Sequence, residues 1–333
     1  MGNLLDAPRT EKLHTECIVT SSGLDVGSAG IQGWRVEMED SHIIADIPSC
    51  PSHTLLAIFD GHGGAGAAIY AAANLVKILE ASSKWNEYVQ NGAEDVEVLG
   101  EALSQTFIEV DVQLRKKQDE SRGDDTSGCT AVCAVVTPNY IVCSNAGDSR
   151  CVLGTNNQTI NMSEDHKPYD EGERRRIENA GGTVQWKRVD GDLAVSRALG
   201  DFQYKTRYDL GPKEQKVTCW PDITVHRRTP NDDVLILACD GVWDVMTSAE
   251  AVGVAREIFM SGETNLQLVS EELVDMTLNK GSRDNISAVI MKLPGATLGD
   301  MSVGGVRQRR ANRDKGASEA DDKKRAEFKR GDI

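Results

Sequence analysis

The sequence holds no uninterrupted apolar run of the roughly 18–20 residues that a membrane-spanning helix needs, and no short apolar core with a small-residue cleavage site follows its first residues. The expectation is a soluble chain located in the cytoplasm. No C-x-x-C pair occurs among its eight cysteines (Cys17, Cys50, Cys129, Cys133, Cys143, Cys151, Cys219 and Cys239), so neither a zinc site nor a disulfide framework is signalled. Several of them sit in apolar runs and read as buried, reduced thiols. Internal repeats are absent, and basic residues are scarce: 37 Lys and Arg stand against 52 Asp and Glu, a formal charge of −15 over 333 residues. Residues 301–333 carry 10 bases and 6 acids, net +4, which leaves −19 for residues 1–300. An acidic body lacks the positive surface that displaces phosphate counterions, so no nucleic-acid partner is expected. Acids in such excess are either solvated surface or ligands of cations that invert the local charge.

What is present is enough apolar material, 39% of residues, for the core of one large domain. Leu55–Asp60, Thr130–Thr137, Tyr140–Asn145, Val234–Asp240 and Ile286–Leu293 read as strands, rich in Val, Ile, Leu, Ala and Cys. The turn dipeptide Pro138-Asn139 joins two of them into an antiparallel hairpin, and Arg150–Gly154 is expected to continue the meander. Helical spacing marks Ala65–Glu80, Val96–Gln118, Tyr169–Asn179, Ala249–Phe259 and Leu266–Asn279. Hairpin-joined strands with segregated helices predict an α+β sandwich.

Leu55–Gly66 reads as a strand followed by Gly61-x-Gly63-x-x-Gly66 and a helix, the letters of a dinucleotide-binding turn. That fold requires a second parallel strand ending in an acid about 20 residues later. Residues 81–95 are polar and lead into another helix. The glycines alone therefore leave an NAD(P) oxidoreductase as a minor alternative.

The acids offer a better account. Asp60 and Asp240 end strands, Asp284 precedes one, and Glu39, Asp40 and Asp148 lie in glycine-containing segments. Carboxylates at the ends of buried strands converge only if cations offset their repulsion, and hard, oxygen-liganded Mg²⁺ or Mn²⁺ is the implied occupant. In order along the chain, Gly33–Asp40, Asp60–Gly64, Ser127–Ala131, Asn145–Arg150, Glu164–Pro168, Leu193–Phe202, Asp240–Asp244 and Gly281–Ser287 resemble the motifs of the metal-dependent type 2C Ser/Thr protein phosphatases. The resemblance covers roughly residues 23–293.

The resemblance implies a four-layer αββα sandwich, two antiparallel β-sheets flanked by helices, with a binuclear metal centre at one end. It implies that Asp60 bridges two Mn²⁺ or Mg²⁺ ions, that Asp240 and Asp284 hold one, and that the Gly61 carbonyl holds the other with Glu39 and Asp40, partly through water. A water bridging the ions then attacks phosphoserine or phosphothreonine without a phosphoenzyme. Arg35 is the implied phosphate clamp and His62 the general acid. Asp148 and Asp244, with Asp240, match a third, weaker metal site, whereas Asp165, His166, Arg197 and Asp201 are expected to brace loops.

Three regions follow: an N-terminal segment, 1–22; a catalytic domain, 23–294, with a variable, substrate-selecting flap at about 167–191; and a basic, partly disordered or helical tail, 295–333. Met1–Pro8 resembles the start of N-myristoylated family members, with Asp6 where the general motif has Ser or Thr. Myristate and the basic tail together would give weak membrane association, and the tail's basic runs are also compatible with nuclear import. Expected partners are phosphorylated Ser/Thr proteins, and the expected state is a monomer. A pseudophosphatase that docks a partner is the competing function on the same fold, although Asp60, Asp240 and Asp284 are all present.

Overall fold

Both faces of the apolar runs are covered, which is why they lack the polar alternation of a half-exposed strand. The computed structural model describes residues 4–121, 123–313 and 315. Five antiparallel strands lie in the order Asp222–Arg227, Tyr140–Ala146, Ala131–Val136, Cys50–Phe59, Ser41–Ile47. Six more lie in the order Gln158–Asn161, Arg150–Thr155, Asp232–Ala238, Ile286–Lys292, Asp25–Ile31, Leu13–Val19. In each sheet, side chains alternate between a core shared by the two sheets and a core beneath that sheet's own helices. Leu56 and Ile58 meet Leu235, Leu237 and Val289 between the sheets. Leu55, Ala57 and Phe59 face helices Gly66–Ala81, Ser83–Gln90 and Val96–Glu120. Val234, Ile236 and Ala238 face helices Ser248–Met260 and Leu266–Asn279. The layers are therefore α, β, β, α.

The Pro138-Asn139 hairpin forms as its turn chemistry predicts. Thr137 Oγ1 accepts from the N–H groups of Asn139 and Tyr140 at 3.2 and 2.9 Å, closing the loop. The next strand departs from expectation. Arg150–Thr155 leaves the meander and pairs with Asp232–Ala238 in the other sheet, Arg150 opposite Ala238. The crossing is made at Gly147, whose φ of +127° and whose contact with Thr130, 2.4 Å from an ideal Cβ, admit no side chain. Six cysteines are buried, but Cys17 is exposed and Cys50 partly so, and none forms a disulfide.

Segments near both limits of the described residues add to the domain. Leu4–Arg9 pairs with Gly33–Arg35, and Leu13–Val19 forms an edge of the six-stranded sheet. Residues 1–3 lie outside the described residues, and the myristoylation expected at Gly2 with them. At the other end, residues 305–313 are helical and Val306, 1% exposed, joins the core beneath Leu266–Asn279. Arg310 and Arg313 grip Glu272, whose side chain is 2% exposed, with Arg313 at 2.7 Å. Part of the expected basic tail is thus held by a buried carboxylate, while residues 316–333 lie outside the described residues. Replacing both Arg310 and Arg313 by Ala strands Glu272 and should cost about 3 kcal/mol, read as a lowered urea midpoint with phosphatase turnover below that midpoint unchanged. Among the described residues no helix is long and apolar enough to cross a membrane.

Candidate metal centre

Strand register assembles the site. Ser41 lies opposite Phe59, Ala146 opposite Ala131, Arg150 opposite Ala238, and Ala238 opposite Ala288. The residues just outside those pairs, Asp40, Asp60, Asp148, Asp240 and Asp284, therefore collect at one end of the sandwich. Oxygens of Asp60, Asp148 and Asp240 lie within 4.8 Å of one another, as do ligand atoms of Asp40, Asp60 and Cys239. Asp60 belongs to both groups.

Such crowding resists ionisation. Burial first, then the charges of Asp240, Asp40, Asp148 and Asp284, push the Asp60 carboxyl well above the usual carboxylate range. Burial, followed by Asp148, Asp284 and Asp244, does the same to Asp240. Asp40 is pushed up to about 7, chiefly by burial, although Ser287 Oγ donates to its Oδ2 at 2.7 Å. Asp40 Oδ1 and Asp148 Oδ1 are buried without a hydrogen-bond partner among the described residues. Buried acceptors of this kind need a donor or a cation. An all-oxygen set from several carboxylates suits a hard divalent ion.

The remaining predicted residues take distinct places. Arg35 Nη2 contacts Asp284 Oδ2 at 2.5 Å, on the rim of the acidic group. Glu39 Oε1 accepts from the Gly64 N–H at 2.5 Å. Gly61 is buried in the short strand Gly61–His62, and the space of its missing Cβ is taken by the Glu39 carbonyl, 2.3 Å from an ideal Cβ. The glycine is thus required first by backbone packing. Asp244 is exposed beside the group, and burial followed by the opposing effects of Lys167 and Asp148 leaves its carboxyl raised. His62 Nε2 lies 2.7 Å from Asp201 Oδ2. Burial alone would lower the imidazole, but Asp201, with smaller help from Asp148 and Glu39, outweighs it and leaves the histidine raised above its ordinary value.

Three contributors are not apparent from the residue pattern. Asp201, expected only as a loop brace, is 1% exposed and sits at φ +55° against His62. Lys167 Nζ reaches Asp148 Oδ2 at 2.5 Å and so occupies one side of that carboxylate. Its only sequence signal is a base within Glu164–Pro168. Cys239 joins the Asp40–Asp60 group, accepts from the Ser287 N–H at 3.2 Å, and is pushed upward by burial and then by Asp40, Asp60 and Asp240. Asp165 and His166 do brace loops: Asp165 pairs with Arg150 through two 2.9 Å contacts, and His166 Nδ1 accepts from the Gly147 N–H beside Asp148. In the flap region, Arg176 anchors helix Glu171–Asn179 through Ser196 and Gln215 carbonyls, while Arg174 and Arg175 make i,i+4 pairs.

Buried carboxylates this close must either keep protons or sit beside cations, and an arginine at their rim offers the planar fork that phosphate oxygens accept. The class of protein so described is the metal-dependent phosphohydrolase. A family model for Protein phosphatase 2C matches residues 24–286, and the chain belongs to that family. It is 39% identical over 299 residues to human Protein phosphatase 1A, spanning 89% of this chain and 77% of that one. It is 38% identical over 296 residues to human Protein phosphatase 1B, spanning 87% and 61%. Among solved structures, serine-threonine phosphatase 2C from Toxoplasma gondii superposes with a TM-score of 0.71 at 25% identity, over 87% of this chain and 98% of that one. The chain is accordingly a metal-dependent protein Ser/Thr phosphatase.

Proposed function

We propose that this phosphatase hydrolyses phosphoserine and phosphothreonine by direct attack of water, with two Mn²⁺ or Mg²⁺ ions held about Asp60 and no phosphoenzyme. The observation that carries the reading is the double membership of Asp60, shared by the group with Asp148 and Asp240 and the group with Asp40 and Cys239. Asp240 and Asp284 would complete one ion's ligands, and the Gly61 carbonyl, Glu39 and Asp40 the other's. Asp148 and Asp244 would take a third, weaker ion, in competition with Lys167. When bound, such ions supply water activated at neutral pH and neutralise the charge of the phosphoryl oxygens.

The chain's own residues do the rest. Arg35, held at one nitrogen by Asp284, presents the remainder of its fork to the phosphate. His62 keeps a proton for the leaving seryl or threonyl oxygen, and Asp201 keeps it there. The one thiol in the acidic group cannot compete as a covalent nucleophile, because the environment of Cys239 disfavours its thiolate. In the flap, Trp186 is 84% exposed on the hairpin of Val184–Gln185 and Arg188–Val189, an apolar surface suited to selecting the substrate chain.

The test is leaving-group dependence. His62→Gln should slow phosphopeptide hydrolysis by about 100-fold but affect p-nitrophenyl phosphate far less, because nitrophenolate leaves without a proton. Asp201→Asn should move the alkaline limb of the phosphopeptide rate profile to lower pH, since it removes what holds the His62 proton. Equal losses on both substrates would remove His62 from the acid role.

A further inference from the structure

At the opposite end of strand Cys50–Phe59 from Asp60, a second cluster joins a thiol to a buried base. Tyr88 O–H donates to the Ala93 carbonyl at 2.6 Å, so its oxygen is left to accept from His53 Nε2–H at 2.7 Å. That chain fixes the tautomer: the proton is on Nε2 and the lone pair is on Nδ1. Cys50 Sγ lies 3.2 Å from Nδ1, and the Ser52 hydroxyl, at 3.0 Å, shares the same acceptor. His53 is 2% exposed and packs edge-on against Tyr88 and Trp85, each 1% exposed, so the imidazole is held in place. Burial holds it below its ordinary value, which favours the uncharged ring whose Nδ1 lone pair can accept a proton. Cys50, unlike the six buried cysteines, is partly open to solvent.

A nucleophile, a base within reach and a third group orienting that base are the parts of an activated thiol. We propose that Cys50 is a peroxide-reactive site, with His53 as its base and Tyr88 orienting His53. The sulfur attacks one peroxide oxygen, forming S–O as O–O breaks. The thiol proton passes to His53 Nδ1 and then to the departing oxygen, which leaves as water when the oxidant is hydrogen peroxide. Sulfur is oxidised to sulfenic acid and peroxide is reduced. A strand of ten residues at about 3.3 Å each separates this site from Asp60, so the chemistry is independent of the phosphatase centre.

The test treats the full chain with hydrogen peroxide in the presence of dimedone and follows adducts peptide by peptide. The exposed Cys17 serves as an internal reference. Cys50 should be trapped about tenfold faster than Cys17, and His53→Gln should bring it down to the reference rate. Ser52→Ala, which frees the Nδ1 lone pair, should speed trapping. Cys50→Ser should remove the adduct and leave phosphopeptide turnover unchanged. If His53→Gln proves unfolded by circular dichroism, Tyr88→Phe removes the acceptor of Nε2–H and leaves the thiol contact, and trapping should again slow. Equal rates at Cys50 and Cys17, or an undiminished rate in the folded His53 or Tyr88 variant, would overturn the proposal.

Discussion

Replacing Asp60 by Asn should abolish phosphopeptide turnover and, in metal-free buffer, make the protein more stable than wild type. The two effects have one cause. Asp60 lies in both acidic groups, where burial and four neighbouring carboxylates oppose its ionisation. With cations present that charge is the ligand set's common member, and losing it should lower turnover by at least about 1,000-fold, roughly 4 kcal/mol at 1.4 kcal/mol per decade. Without cations the folded chain must either bear that repulsion or keep a proton that the unfolded chain releases, and an amide of nearly equal shape avoids both costs. The melting temperature of the chelated variant should therefore rise by roughly 2–5 °C. A purely structural aspartate would show the opposite sign, a variant melting below wild type with and without metal.

Metal-free wild type should lose stability between pH 6.5 and pH 8, by roughly 5 °C in melting temperature, and added Mn²⁺ should cancel the loss. Asp40 has a folded value of about 7 against an ordinary 3.8, and Asp60 and Asp240 are likewise raised well above that ordinary value. A raised carboxyl keeps its proton in the folded chain after the unfolded chain has released it. Its contribution is full below about pH 4 and is lost as pH rises through the folded value, at about 1.4 kcal/mol per pH unit for each such group. His62, also raised, changes in the same direction. Opposing groups act elsewhere: His42, pushed down to about 4 by burial, matters below pH 6.5, and Glu173, lowered to about 2 against the pull of burial by Arg197 and Arg176, matters only in acid. The window from 6.5 to 8 thus isolates the acidic end of the sandwich. A chelated melting temperature that is flat or rises across it would contradict the crowding of these carboxylates.

The central strands and the acids at their ends were legible because burial on both faces writes a continuous apolar run and a strand end writes the Asp-Gly that follows it. Leu13–Val19 was not, since an edge strand with one exposed face and mixed residues such as His14, Glu16 and Cys17 carries no such run. Helix Ser83–Gln90 was hidden for a similar reason. It buries only Trp85 and Tyr88 within a polar segment, and its start depends on Ser82 Oγ accepting from the Trp85 N–H. The transfer of Arg150–Thr155 to the second sheet depends on a partner strand 77 to 88 residues away, from Thr155 opposite Asp232 to Arg150 opposite Ala238, which local periodicity cannot encode. Asp201 and Lys167 are likewise known only through contacts, the one with His62 across 139 residues and the other with Asp148 across 19. The docking of residues 305–313 was obscured because a charge run ordinarily signals solvated chain, whereas here Arg310 and Arg313 meet the buried Glu272.

Calorimetric titration of Mn²⁺ into the chelated full chain tests the binuclear centre most directly, because it counts ions without reference to turnover. Wild type should bind two tight equivalents, and Asp60→Asn should retain no tight pair. Binding of a single ion, binding of none at millimolar Mn²⁺, or an Asp60→Asn protein that still takes up two would contradict a two-ion site shared through Asp60.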